Sequence, residues 1–227
     1  MALRGTAALA MWWDVAAHVR AEFEHWHSHE HFPERLALPG FLRATRWSDA
    51  RGGEGIFVMY ELAAHDVLSS PAYVARLNAP TPWSARMMPH HRGMVRTQCR
   101  VLESRGIAVA RHAATVRFAP RKATDAARLR AHLAALLAAL VMQPGLTGAH
   151  LLQHEAPALA QTTEQRIRGG DAAADWIVLI TGYDPAALQA LFDGELGDGA
   201  LAAAGASPAT QRGLFALSAS GVPGDLD

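Results

Sequence analysis

The chain has 227 residues, half of them hydrophobic, which is enough for one large globular domain or two small ones. Basic and acidic residues both number 21 and no Lys/Arg-rich run occurs, which argues against nucleic acid or an anionic membrane as a partner. The single cysteine, Cys99, excludes an internal disulfide and a multi-cysteine zinc site, and fits a reducing, cytoplasmic setting. No apolar run is long enough to span a membrane.

The first half of the chain predicts the element order β-α-β-β-α-β. Apolar runs bounded by glycine and proline predict strands at residues 8–13, 41–47, 56–62 and 94–102. A helix is predicted at 15–30, because Asp14 is a good N-cap and Val19, Phe23 and Trp26 share one helical stripe. Short helices at 64–68, 71–77 and 82–88 are each started or interrupted by proline, or follow a turn.

The second half repeats this order after Gly106. Strands are predicted at 113–118, up to residue 152, at 176–181 and at 213–218, and helices after Asp125 and at 185–192. The turn Pro144-Gly145-Leu146 corresponds to Pro39-Gly40-Phe41. The repetition predicts an internal duplication, with one ferredoxin-like repeat at residues 1–104 and a second, mainly structural one at 105–227.

Each half has its own insertion. Helix caps align at an offset of 110 residues and the Pro-Gly turns at 105, so the first half holds about five extra residues, which we place in a loop at 31–38. The second half has an insertion at about 155–175, rich in Ala, Gln, Thr and Gly, which predicts a mobile surface loop. Loops on a rigid scaffold often carry function, and the first insertion adjoins a histidine cluster.

That cluster lies in residues 24–41, which hold four of the twelve histidines: His25, His27, His29 and His31. On the helical stripe of Trp26, the next position is Glu30, where the period calls for an apolar residue. Its carboxylate is expected to be a proton carrier, to pair with Arg43 or Arg46, or to lie in water at a frayed helix end. The pairs His25/His29 and His27/His31 have metal-chelating i,i+4 spacing, but each supplies only two ligands, so no metal is predicted.

Part of this stretch resembles a known family. Its pattern consists of a tryptophan, then Glu-His-aromatic-Pro and then Pro-Gly-Phe, here at Trp26, Glu30, His31, Phe32, Pro33 and 39–41. The pattern resembles EthD-like proteins of the dimeric α/β-barrel superfamily and covers most of the first half. The resemblance implies an α+β fold, in which two tandem ferredoxin-like repeats pack sheet to sheet as an intrachain barrel. It also implies that His31 lines a pocket, in a single copy, because the second half has Val141-Met142-Gln143-Pro144 there.

Residues inside strand patterns extend this candidate site. Phe41, Arg43, Thr45 and Trp47 alternate onto one face of their strand and Arg46 onto the other, while Val58 and Tyr60 share a face. Arginine is seldom buried without an anionic partner, so Arg43, Arg46 or Arg96 either faces a polar cavity or pairs with Glu30, Glu61 or Asp14. The predicted ligand-binding residues are Trp26, Arg43, Arg46, Tyr60, Tyr73, Trp83 and Arg96, with His90 and His91 as further residues near the entrance.

Two functions remain open at this stage. In the first, His31 assisted by Glu30 moves a proton on a small aromatic or polyketide-like ligand, in an isomerase, cyclase or cofactor-free oxygenase. In the second, the chain is a non-catalytic binding or scaffold protein. Neither requires a cofactor: no haem-binding motif is recognisable, and Cys99 lacks the surroundings of a nucleophile. A small molecule is the expected partner, and a homodimer of the fused chain stays open.

The repeat structure makes the first half dependent on the second. We expect a fragment of residues 1–104 to aggregate or dimerise, because truncation leaves an apolar sheet face in water. Size-exclusion chromatography and urea unfolding of the fragment check this, with the full chain as control. A monomeric fragment that unfolds cooperatively would contradict it.

Overall fold

The computed structural model describes residues 2–225. The chain divides into two compact units. The first, called here the N-terminal unit, comprises Arg4–Arg100, Glu155–Ala173 and residues 218–225. The second, the C-terminal unit, comprises residues 2–3, Val101–His154 and Ala174–Leu217. The insertion near residue 160 therefore belongs with the first repeat, although it lies within the sequence of the second.

The N-terminal unit has the predicted β-α-β-β-α-β order. Its strands are β1 (Ala7–Asp14), β2 (Phe41–Asp49), β3 (Gly55–Leu62) and β4 (Arg92–Gly106), the last of which continues into the C-terminal unit. Its helices are α1 (Arg20–Trp26), α2 (Phe32–Leu36), α3 (Pro71–Asn78), α4 (Pro82–Met87) and, from the insertion, α6 (Thr163–Arg168). Strand β1 pairs with β3 and β4, and β3 pairs with β2, all antiparallel.

The C-terminal unit repeats the order around a second apolar core. Its strands are β5 (His112–Phe118), β6 (Leu146–His154), β7 (Trp176–Gly182) and β8 (Gln211–Gly221), and its helices are α5 (Ala126–Leu140), α7 (Pro185–Asp193) and α8 (Asp198–Ala204). The leucine stripe of α5 is buried at Leu129, Leu133, Leu137 and Leu140, as its spacing predicts. Helix α8 is an element that the sequence patterns did not indicate.

All eight strands belong to one closed antiparallel barrel, in the order β1-β3-β2-β8-β5-β7-β6-β4. The α+β fold with two ferredoxin-like repeats is therefore confirmed. Within the described residues, no helix has the length and apolar character needed to cross a membrane.

The helix after β1 begins and ends later than the sequence patterns predict. Asp14 is the last residue of β1 and does not cap the helix, and α1 begins at Arg20. A helix ending near Glu30 and a loop at 31–38 were expected, but α1 continues through a π-helical turn at His27–His31 into α2, which ends at Leu36. Pro33 lies in the first turn of α2, directly after the π turn. The loop prediction is thus wrong for residues 31–36, which are helical, while residues 37 and 38 belong to the turn that follows.

A β-bulge changes the predicted faces of β2. The register against β3 shifts between Phe41 and Arg43, so Phe41 joins the core under the helices with Ala44 and Tyr60. Arg43 instead pairs with Glu61. The expectation that Phe41 and Arg43 share a face is wrong, because the extra residue in a bulge reverses the alternation.

Candidate functional site

A small cavity lies between the sheet and the helices of the N-terminal unit. Its volume is about 30 Å³, which holds about two or three waters at roughly 10–15 Å³ each. Strands β1, β3 and β4 supply Leu9, Met11, Trp13, Tyr60, Met94 and Arg96. The helical layer and its connections supply His27, His31, Arg35, Tyr73, Leu77, Met88, His91, Glu164 and Arg168. The lining is thus a mostly apolar sheet surface that also carries Tyr60 and Arg96, opposite a mostly polar and charged helical side.

The π turn directs two histidines into this cavity. A π turn holds one residue more than an α turn, so the buried face that passes through Trp26 continues at His31 and not at Glu30. The rings of His27 and His31 lie 5.3 Å apart, and both residues are buried. His25 and His29 are exposed. The prediction that His31 faces a cavity while His25 and His29 face solvent is confirmed.

The three cavity histidines are held in the neutral form. Burial, and next the charge of Arg46, lowers the pKa of His27 well below its usual value, while burial followed by Arg35 does the same to His31. Burial, with a smaller effect of Arg168, lowers the pKa of His91 to about 3. In the described chain, both ring nitrogens of His27 and His91 and Nδ1 of His31 have no hydrogen-bond partner. Neutral imidazoles with unused nitrogens therefore surround the cavity.

A buried chain of ion pairs closes one side of the site. Arg35 Nη2 donates to Glu164 Oε1 at 2.5 Å, and the two side chains are 3% and 4% exposed. The other carboxylate oxygen of Glu164 lies 3.7 Å from Arg168, which makes a two-point pair with Asp171 at 2.8 and 3.0 Å. Arg35 belongs to α2 and the other three to the insertion, so these pairs hold the insertion against the helix that carries the histidines.

The insertion is anchored at further points. Thr162 and Gln165 form a capping box at the start of α6, and the backbone N–H of Thr163 donates to Asn78 at the end of α3. Ala172 exchanges backbone hydrogen bonds with β4, accepting from Arg96 N and donating to Met94 O. The prediction of a surface loop here is wrong for Thr162 to Arg168, because the capped helix places Glu164 in the interior.

A third buried arginine lies on the sheet side. Arg96 is 7% exposed, and its guanidinium Nη2 donates to Tyr73 Oη at 2.9 Å. Tyr60 is fully buried and, in the described chain, its hydroxyl has no hydrogen-bond partner. Burial raises the pKa of Tyr60, so its hydroxyl stays protonated and available as a donor.

Four of the predicted site residues thus meet at the cavity: His31, Tyr60, Tyr73 and Arg96. Trp26 lies behind His31, with ring centroids 4.6 Å apart, and does not line the cavity. Trp83 packs by its ring against His25, 5.3 Å away. No sequence pattern indicates Arg35, Glu164 or Arg168 as site residues, and the spacing of His27 indicates only a chelating neighbour of His31.

Glu30 lies away from the cavity and faces α4. Its Oε1 accepts hydrogen bonds from Trp26 Nε1 at 3.0 Å, Thr81 Oγ1 at 2.6 Å and Ser84 Oγ at 3.2 Å. The expectations that Glu30 projects toward the sheet or pairs with Arg43 or Arg46 are wrong, because the π turn rotates this position toward α4. The carboxylate joins the helix of the histidines to α4.

The other two predicted arginines have partners inside the protein. Arg43 makes a two-point pair with the buried carboxylate of Glu61, at 2.7 and 2.8 Å, which is the structural alternative considered for it. Arg46 donates to Ser28 Oγ at 3.2 Å and to the Glu24 carbonyl at 3.4 Å, and its guanidinium lies over the ring of Phe23. Neither lines the cavity.

The cavity does not fit a metal or a haem. Across residues 2–225, no group of three or more His, Cys, Asp or Glu side chains has an arrangement that could hold a metal ion. In the form described, the space for two or three waters cannot hold a haem macrocycle unless the helices that cover it move. Burial raises the pKa of Cys99, which opposes thiolate chemistry at that strand position.

Comparison with known proteins identifies the fold. No protein-family model matches the sequence, and no curated protein matches it. Similar solved structures include an anthrone oxidase-like protein (12% identity, TM-score 0.67, 97% of this chain and 94% of that chain). A proposed monooxygenase from Lactobacillus acidophilus has 9% identity and a TM-score of 0.59 over 96% and 97%, and a heme-binding protein from Thermus thermophilus has 10% and 0.50 over 96% and 93%. At such identities the likeness shows a shared dimeric α/β-barrel fold alone.

The buried ion pair predicts a large effect of Glu164→Gln. We expect the free energy of unfolding to fall by about 3–5 kcal/mol, because the change leaves Arg35 buried without its carboxylate. Urea unfolding measures the loss. The matched control is Glu54→Gln, which removes an exposed pair with Arg92 and should change stability little. If Glu164→Gln and Glu54→Gln lowered the free energy of unfolding equally, the buried pair between Arg35 and Glu164 would not have the stabilising role assigned to it.

The neutral histidines predict a loss of stability in mild acid. A histidine whose pKa is lowered by folding takes up its proton first in the unfolded chain, so stability is present above a pH of about 6.5 and falls below it. At the slope of roughly 1.4 kcal/mol per pH unit for one such group, His91→Gln should flatten the stability curve between pH 6 and 4 by about that slope. Urea unfolding over this range tests it, with exposed His29→Gln as control. Parallel curves for His91→Gln and the parent protein would exclude this linkage.

Proposed function

We propose that the chain is an EthD-like, cytoplasmic protein that binds a small aromatic or polyketide-like ligand and transfers a proton with His31. The observation that carries the proposal is the set of neutral histidines around a cavity whose opposite wall is apolar and holds Arg96. Ligand pockets are mostly apolar with a few convergent polar groups, as here. The likeness to an anthrone oxidase-like protein supports an enolisable aromatic ketone as the first compound to test.

His31 is suited to accept a proton as a general base. It is neutral, it lines the cavity, and its Nδ1 has no partner among the described residues. Burial makes the imidazolium costly in the empty site, but a negative charge forming on the ligand would offset this cost by attraction. Removal of a proton next to a carbonyl creates such a charge as an enolate. The proton transfer is therefore favoured only when an acidic ligand is bound.

The surroundings of His31 fix its ring. Trp26 packs against it and is itself held by the hydrogen bond from its Nε1 to Glu30. We therefore assign Glu30 a positioning role through Trp26, and not direct contact with the ligand. Enolate formation is a step shared by the isomerase, cyclase and oxygenase reactions considered above.

A ligand can enter only if part of the helical layer that covers the cavity, called here the roof, moves. An aromatic ligand is larger than the closed cavity, and the insertion that carries Glu164 and Arg168 is the segment of the roof best placed to open. Its helix α6 is followed by Gly169 and Gly170, both with positive φ, and is fixed by ion pairs and a few hydrogen bonds. Displacement of α6 would widen the site without unfolding the sheet.

The closed roof and the low basicity of the histidines also favour the second function, a non-catalytic binding protein. Such a protein would hold the same ligand in the same cavity without promoting exchange of its protons. The two functions share the pocket and differ in the chemistry, so one experiment separates them.

The test is hydrogen–deuterium exchange at the methylene of anthrone in D₂O, followed by NMR. We expect the protein to accelerate exchange and His31→Gln to lower the catalysed rate by about 10²–10⁴-fold, the usual contribution of a general base. His29→Gln, on the same helical segment but exposed, should retain the rate. Oxygen uptake in the same mixture distinguishes oxygenation from proton transfer alone.

Two results would overturn the catalytic proposal. Exchange at the rate of the buffer, with anthrone bound, would leave a binding protein. Catalysed exchange that is equal in His31→Gln would place the base elsewhere. Thermal unfolding of each variant confirms that a lost rate does not reflect a lost fold.

A further inference from the structure

The cavity holds more buried positive than negative charge. Its lining includes Arg35, Arg96 and Arg168 and one carboxylate, Glu164, and the second carboxylate of this group is the partner of Arg168, Asp171. Three guanidinium groups thus face two carboxylates. Both carboxylates are engaged by Arg35 and Arg168, and among residues 2–225 no carboxylate lies within 4 Å of the Arg96 guanidinium.

No other side chain at the cavity supplies the missing negative charge. The three histidines are neutral, and Tyr60 is held in its protonated form. Arg96 makes one side-chain hydrogen bond in the described chain, in which Tyr73 Oη is the acceptor, so the Tyr73 proton remains free to be donated. A buried guanidinium without a counter-ion is costly, and such a group is kept where a ligand completes it.

The unused groups at the cavity include several hydrogen-bond donors. The Tyr60 hydroxyl and Arg35 Nη1 are buried without partners in the described chain. The Arg96 guanidinium keeps further N–H donors beyond its one bond to Tyr73 Oη, and the Tyr73 hydroxyl keeps its own proton. Donors of this kind satisfy an oxygen atom that carries negative charge, whereas a neutral carbonyl would leave the charge of Arg96 uncompensated. The strand register places Arg96 beside Met11, so the guanidinium extends from a part of the sheet whose neighbouring side chain is apolar.

We infer that Arg96 and Tyr73 form an oxyanion-binding subsite, and that the ligand of this pocket is an aromatic compound bound as its phenolate, enolate or carboxylate. This inference depends on the proposed function only in assuming that the ligand binds in the same cavity. Arg96 is a binding residue, and the ligand oxygen takes the place of the carboxylate that the protein does not provide.

The direct probe is 4-nitrophenol, whose phenolate is recognised by its visible absorption. Bound to the parent protein, it should be more ionised than in buffer at the same pH, and Arg96→Met should weaken phenolate binding by about 10- to 100-fold, as for loss of a charged hydrogen bond. Arg96→Lys should retain part of the effect. The control Arg86→Met removes an exposed arginine of α4 and should bind as the parent does.

A second measurement covers the case in which 4-nitrophenol cannot enter the closed cavity. Sodium acetate, compared with acetamide at constant ionic strength, should raise the Tm of the parent protein and of Arg86→Met, but not of Arg96→Met. Without any anion, Arg96→Met should be at least as stable as the parent, because an uncompensated charge has been removed.

The outcomes separate this inference from the proposed function. Equal phenolate and acetate effects in the parent and Arg96→Met, or no anion effect in either protein, would overturn the oxyanion subsite, whatever the anthrone exchange shows. Anion binding that depends on Arg96 would support it even if anthrone exchange is not catalysed. In that case, the failure would belong to the assignment of His31 as a base.

Discussion

The buried pair between Arg35 and Glu164 is the interaction on which the site depends. Its two residues are 129 positions apart in the sequence, and the pair brings the insertion against the helix that follows the π turn. Together with the backbone bonds of Thr163 and Ala172, the pair holds α6 beside the cavity. The pair also uses the only carboxylate that lines the cavity in the described chain, so the third arginine, Arg96, keeps an uncompensated charge. The Arg35–Glu164 pair therefore contributes both to the covering of the cavity by α6 and to the excess of positive charge in its lining.

The π turn is the second feature on which the site depends, because it determines which side chains lie at the cavity together with Arg96. In a regular α-helix, the stripe of Phe23 and Trp26 would continue at Glu30 and direct a carboxylate toward the sheet. The extra residue replaces it with His31 and moves Glu30 to α4, where three donors satisfy it. A π turn sacrifices regular hydrogen bonding, and such turns are frequent at functional sites. Here the π turn places the neutral imidazole of His31 at the cavity, where a regular α-helix would place the carboxylate of Glu30.

Much of the fold could be predicted from the sequence, because it is encoded by local signals. The apolar runs of the strands, the leucine stripe of α5 and the Pro-Gly turns each depend on nearby residues only. The site could be predicted in part: Arg96 was found because arginine is unusual in a strand, and His31 through the resemblance. Glu164 was missed because its burial depends on a partner far along the chain. The faces of β2 and the position of Glu30 were wrong because one inserted residue, in a bulge or a π turn, reverses a periodic pattern.

The charge of the site and the neutrality of its histidines are coupled. Arginines beside the cavity raise the cost of an imidazolium, as burial does, so a proton placed on His31 in the empty site would add a further positive charge to the excess one. Under the proposed function, a ligand that arrives as an acid and leaves its proton on His31 would create the anion and the cation together. The negative oxygen then compensates Arg96, and the imidazolium is offset by the same charge at short range. Protonation of His31 and deprotonation of the ligand are each unfavourable alone, and they become favourable together. If the proposed function holds, the arrangement would select ligands by their acidity as well as by their shape, and an aromatic ketone that forms an enolate would meet both conditions.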